Sequence, residues 1–292
     1  MTLARARIGA AIAVALICYA AASAEAATVW AVHGAKNTVY LAGSVHVLKP
    51  GDDQLPAAFD RAYGNSKALV MEIDVSALDP LAGQAYVLEH GMLPAEQTLR
   101  HVVGESRYRR VQDEAERVGL PLDSLQQFEP WTVALTLTQL ELAQIGFDPE
   151  AGVEHQLERR ALADHKPIRG LETLEEQLAM LHGLSYDDQS RFLELSATEG
   201  AHLQAETGEI LTAWRTGNER SLERLLRAEY DDFPALYRPL VTDRNRRWLP
   251  AIVELLRGDG DCLVVVGALH LIGPDGILAL LRARGYAPRP LD

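Results

Sequence analysis

Four short apolar runs, each closing on a glycine or a carboxylate, limit what this chain can fold into more than any other feature. They are Leu41-Ala42-Gly43-Ser44-Val45-His46, Leu69-Val70-Met71-Glu72-Ile73-Asp74, Ile168-Arg169-Gly170-Leu171-Glu172 and Val264-Val265-Val266-Gly267-Ala268-Leu269-His270. Short, continuously apolar runs mark strands covered on both faces, as in a parallel sheet layered with helices. In open α/β sheets, ligands bind in the crevice beyond the carboxyl ends of the strands. That is where these runs put His46, Glu72, Glu172 and His270. A glycine at such a turn lets the backbone bend sharply and leaves room for a ligand.

The remaining text fits around that sheet. Thr28-Val29-Trp30-Ala31-Val32 and Thr38-Val39-Tyr40-Leu41-Ala42 are β-branched and aromatic, and His33 to Asn37 separates them, which predicts a hairpin with a five-residue loop. Pro56 to Tyr63 reads as a helix and Ala68 to Met71 as a buried strand. Helical spacing of apolar residues recurs over Arg107 to Val118, Trp131 to Gln144, Gly152 to Asp164, Leu174 to Leu181 and Ser221 to Tyr230. Lys166 to Gly170 interrupts the helices as one short strand. Leu249 to Arg257, Leu263 to Val266 and Gly276 to Arg284 then read as helix, strand and closing helix. The expected fold is α/β, with a central mixed sheet built from N- and C-terminal β-α-β segments and a long helical insertion over about 78–240.

Residues 1–26 read as a secretory signal peptide rather than part of the fold. Arg5 and Arg7 precede an apolar run from Ile8 to Ala22, and small residues follow. The run is short for a membrane span, which needs about 20 apolar residues. The expectation is therefore a periplasmic or secreted single domain over 27–292, with no stable span after cleavage. That domain keeps only Cys262, inside an apolar strand, so it has no internal disulfide and the thiol reads as buried and structural. A net charge of −13, without a clustered basic stripe, argues against nucleic-acid partners.

His46 and His270, each three residues after a glycine at a strand end, make with Glu72 a plausible divalent-metal set. Taken singly, either histidine reads first as a strand-end capping or hydrogen-bonding residue, and it is the pair with Glu72 that favours a site. Glu172 either joins the site or complements the positive end of the following helix, and Asp74 is a supporting partner or a helix cap. Arg244 and Asn245, in Thr242-Asp243-Arg244-Asn245-Arg246-Arg247-Trp248, either form a solvated face or reach into the crevice to bind substrate. The other histidines show no partners at ligand spacing, and Ser44 reads as structural. His-Glu-x-x-His, Gly-x-Ser-x-Gly and glycine-rich nucleotide motifs are absent.

With the two Gly-x-x-His endings in place, the sequence resembles the TraB/GumN family, which includes the Tiki proteases. The resemblance extends over Glu72, Lys166-Pro167-Ile168-Arg169-Gly170-Leu171-Glu172-Thr173 with Gln177, Arg244-Asn245 and Gly285-Tyr286. It implies a Tiki-like or erythromycin-esterase-like fold and a metal-dependent hydrolase, with His46, Glu72 and His270 as metal or catalytic residues. Tiki-type members clip secreted signalling proteins, so a peptide or protein substrate is implied. One departure stands out: where many members show Gly-x-Asp, this chain has Gly152-Val153-Glu154. The leading expectation is a secreted hydrolase with Mn, Zn, Co or Fe held by His46, His270 and Glu72. Glu72, Arg244 and Glu172 are its catalytic candidates. A metal-free His/Glu hydrolase and a non-catalytic haem, iron or peptide-binding protein are the alternatives.

Overall fold

The computed structural model describes residues 28–199, 203–231 and 233–291; the signal-peptide reading lies outside them. The chain begins with β1 (Val29–His33), β2 (Thr38–Ser44), α1 (Ala57–Asn65) and β3 (Ala68–Met71). Helices α2 (Pro80–His90), α3 (Leu99–Val103), α4 (Glu105–Arg117), α5 (Pro130–Gln144) and α6 (Val153–Ala163) follow. After β4 (Ile168–Gly170) come α7 (Leu174–His182), α8 (Tyr186–Glu199), α9 (Leu203–Arg215), α10 (Glu219–Asp231) and α11 (Pro234–Tyr237). A π-helical stretch, Arg238–Thr242, leads directly into α12 (Asp243–Arg257). The chain closes with β5 (Cys262–Gly267), α13 (Ala268–Leu271), α14 (Ile277–Arg282) and β6 (Arg289–Pro290).

The six strands form one mixed sheet in the order β4-β3-β5-β2-β1-β6. Strands β2, β5, β3 and β4 are mutually parallel, and β1 runs antiparallel to both β2 and β6. The α/β expectation therefore holds. All six residues of β5 are buried, as its unbroken apolar text requires of a strand covered on both faces. The hairpin is tighter than its predicted loop, because His33 still pairs with Thr38 and only residues 34–37 connect the strands.

Against the sheet pack Phe59 and Tyr63 of α1, Val153 and Leu157 of α6, and Trp248, Ile252 and Leu256 of α12. A second cluster, including Leu99, Tyr108, Val111, Leu137 and Leu193, joins α3, α4, α5 and α8. At the start of α5, Glu129 is 3% exposed. Its carboxylate accepts from Trp131 Nε1, Gln189 Nε2 and the His182 ring at 2.9–3.1 Å. His182 therefore has a buried partner that its sequence context does not reveal. A buried carboxylate is tolerated only with such donors.

Candidate functional site

Parallel pairing puts the carboxyl ends of β2, β5, β3 and β4 along one edge of the sheet. Ser44 stands opposite Gly267, and Met71 opposite Gly170. The crevice residues thus come from both ends of the chain. Gly267 lies at their centre, and its N–H donates to Glu72 Oε1 at 2.7 Å. A β-carbon at 267 would meet Glu72 Oε1 at 3.3 Å, His46 Nε2 at 3.4 Å and His270 Cδ2 at 3.6 Å. Having no side chain there, the protein leaves Glu72 and both imidazoles facing one small space.

Each imidazole is oriented through its Nδ1. His270 Nδ1 lies 2.7 Å from Asn245 Oδ1, while Asn245 Nδ2 donates to the carbonyls of His270 and Asp275. The amide oxygen therefore faces the ring, Nδ1 carries the proton and Nε2 presents a lone pair. Burial drives the His270 pKa down to about 3, with Arg244 adding to it against the pull of Glu72. His46 Nδ1 lies 2.9 Å from Glu154 Oε1. That carboxylate raises the His46 pKa to about 9 against the cost of burial. The His46 side chain is nevertheless 66% exposed, so solvent screens part of the attraction. Ser44 Oγ donates to the same Glu154 oxygen, and Glu154 Oε2 is buried with no partner among the described residues. Burial pushes Glu154 up, and His46 and Ser44 more than reverse it.

Arg244, the second residue of α12, fills the other side. It donates to Glu172 Oε1 through Nε at 3.0 Å and Nη2 at 2.6 Å, and to Glu72 Oε2 at 2.5 Å. Its Nη1 lies 3.0 Å from His270 Nε2. The guanidinium stacks 4.5 Å from the Trp248 ring, whose Nε1 donates to Glu172 Oε2 at 3.0 Å. Glu172 is thus the clamp that holds Arg244. The neighbouring helix is capped instead by Thr173 and Glu176. Burial alone would raise the Glu72 carboxyl; attraction to His270, Arg244 and His46, with the Gly267 N–H, reverses that and holds it below the usual carboxylate range.

The structure brings together His46, Glu72, Glu172, Arg244, Asn245 and His270, with Gln177 Nε2 at 3.5 Å from Glu72 Oε2. Asp74 stays outside, its carboxylate accepting from Ser76 at 2.6 Å. Glu154, Ser44 and Trp248 belong to the cluster although sequence reasoning gave them no role in it. The departure Gly152-Val153-Glu154 was the only signal pointing to Glu154.

Among the described residues no three His, Cys, Asp or Glu side chains stand in a metal-ligating arrangement. The donors fit a divalent ion in part. His46 Nε2 and Glu72 Oε1 face the cradle at Gly267, and carboxylates outnumber the guanidinium there. Metal-ligating histidines characteristically have the second ring nitrogen hydrogen-bonded, as both rings have here. His270 Nε2 is engaged by Arg244 and joins the set only if that contact opens.

These features describe an α/β protein with a His/Glu/Arg cluster, buried except at His46, at the carboxyl ends of its parallel strands. The chain belongs to the TraB/PrgY/gumN family, which it matches over residues 28–290. It is 28% identical to the uncharacterised protein YbaP of Escherichia coli (strain K12) over 246 residues, spanning 83% of this chain and 87% of the relative. YbaP of Shigella flexneri matches to the same extent. An uncharacterised protein of Treponema pallidum (strain Nichols) is 23% identical over 272 residues, spanning 87% of this chain and 80% of the relative. No solved structure matches.

Proposed function

We propose that the chain is a metal-dependent hydrolase of peptidase type that acts in the periplasm or outside the cell. The observation that carries this is the pair of imidazoles, each oriented through Nδ1, whose rings meet Glu72 around the bare backbone of Gly267. His46 and Glu72 would hold the ion, with His270 as the further ligand. A divalent ion bound there supplies Lewis acidity toward a carbonyl and lowers the pKa of water. Held below the usual carboxylate range, the Glu72 carboxyl is a weak proton acceptor at neutral pH and a well-suited ligand oxygen. Arg244, fixed by Glu172 and Trp248, presents a preorganised cation to developing negative charge.

The contact between Arg244 and His270 Nε2 favours a second reading, in which the guanidinium itself occupies the cation position and the His46–Glu154 pair moves the proton. Hydrolysis of a peptide library, followed by mass spectrometry with chelator and after reloading with Mn, Zn, Co or Fe, separates the two. The metal reading expects cleavage to vanish on chelation and return with one ion. It also expects His46→Ala to lower kcat/KM by on the order of 100-fold or more. Chelator-resistant cleavage lost in both His46→Ala and Glu154→Gln selects the metal-free pair. Full activity in His46→Ala contradicts both.

A further inference from the structure

A cavity of about 420 Å³ opens directly beside the cluster. Its polar end is made by Ser44, His46, Arg244 and His270, which are site residues. The rest of its wall is mainly aliphatic: Val45, Val47, Leu142, Ile210, Leu240 and Val241 are the principal side chains, Thr207 adds one hydroxyl, and among the described residues no Phe, Tyr or Trp lines it. The volume falls within the range of small-ligand pockets, which typically combine an apolar lining with a few convergent polar groups.

The wall and the chemistry are built as one unit. Leu240 and Val241 belong to the π-helical stretch Arg238–Thr242, and Arg244 follows it at the start of α12. Arg244 Nη1 also donates to the Leu240 carbonyl at 3.3 Å. π-Helical turns are rare and concentrate at functional sites. Whatever sits against Leu240 therefore lies next to the guanidinium and His270.

We infer that this cavity receives a branched aliphatic side chain of a peptide substrate, at the residue adjoining the bond that is cleaved. The inference rests on the hydrolase reading and adds the substrate preference. A wall that is aliphatic but for Thr207 gives too few partners to the hydroxyls of a sugar, most of which would lose their water without replacement. A charged side chain would be desolvated in the same way. That the occupant is a peptide rather than an ester is part of the hydrolase reading, and ester probes test it.

The test uses blocked dipeptide amides carrying Gly, Ala, Leu, Phe or Glu at the variable position, together with the matching leucyl ester and a fatty acyl ester. Cleavage is read by mass spectrometry. Binding is read separately by ligand-observed NMR on wild type and on Ile210→Trp, a change on α9 that fills the cavity. The expected result is kcat/KM for Leu at least about 10-fold above Ala, as loss of several methylenes from an apolar pocket implies. Gly and Glu should be poor, and the Leu preference should disappear in Ile210→Trp. Leu-selective binding that Ile210→Trp abolishes, with no cleavage of any probe, would keep the cavity assignment and sink the hydrolase reading. Cleavage without side-chain preference would do the reverse. A fatty acyl ester preferred over the Leu amide, or a preference unmoved by Ile210→Trp, would overturn the inference.

Discussion

His46 and His270 carry the same side chain into one crevice yet titrate far apart, at about 9 and about 3. The cause is local. His270 is 5% exposed and touches a guanidinium, whereas His46 is largely exposed and bonded to a carboxylate. His270 is therefore a neutral donor at any physiological pH, and a cation binding at His46 must displace a proton. For the metal-free protein this fixes a pH dependence. The folded-state value of His46 stands above its ordinary 6.5, so the protonated ring contributes fully to stability below about pH 6.5. That contribution fades as pH rises through about 9. Because the ring is mostly solvated, it should amount to about 1 kcal/mol or less. Thermal melts of wild type and His46→Gln in chelator should show a gap at pH 6 that closes by pH 10. A gap that widens with pH would contradict the assigned pairing.

Short elements do the positioning. The four residues of α13 turn His270 back over Gly267, and the π-helical stretch aims Arg244. Two glycines mark where backbone comes closest. A β-carbon at Gly152 would lie 2.1 Å from the His46 carbonyl oxygen, a contact only backbone movement relieves. Gly152→Ala should cost about 2 kcal/mol or more in chemical denaturation. At Gly267 the same carbon meets nothing nearer than 3.3 Å. Gly267→Ala should therefore keep wild-type stability within about 1 kcal/mol while closing the cradle and removing activity. Equal destabilisation by the two changes would mean that the space at 267 is not what the glycine preserves. Strand text revealed the sheet because burial on both faces leaves an unbroken apolar signature in β3 and β5. Helix α8 escaped because it turns Gln189, Ser190 and Ser196 inward. Helix α2 escaped because Leu81 and Leu88 face solvent, so apolar spacing there does not follow burial. α13 is too short to show a period at all. His46 and His270 were legible from their glycines. Glu154 was marked only by its departure from Gly-x-Asp and not by any partner, since its contact with His46 exists only once α6 packs beside the end of β2.

Taken whole, the molecule assembles one crevice from distant parts of its sequence. The first three strands bring Ser44, His46 and Glu72, the middle brings Glu154 and Glu172, and the final third brings Arg244, Asn245 and His270. The net charge of −13 suits a protein that attracts cations and repels phosphate backbones. No helix among the described residues is long and apolar enough to cross a membrane. The most direct test of the metal assignment is metal content by mass spectrometry. It requires protein purified without chelator or affinity tag, beside the His46→Ala/His270→Ala variant. Close to one equivalent of Mn, Zn, Co or Fe in the wild type, lost in a variant that still folds, is the predicted result. Absence of metal from both, persisting after the folded wild type is offered each ion, would contradict it and leave Arg244 as the cation of the site.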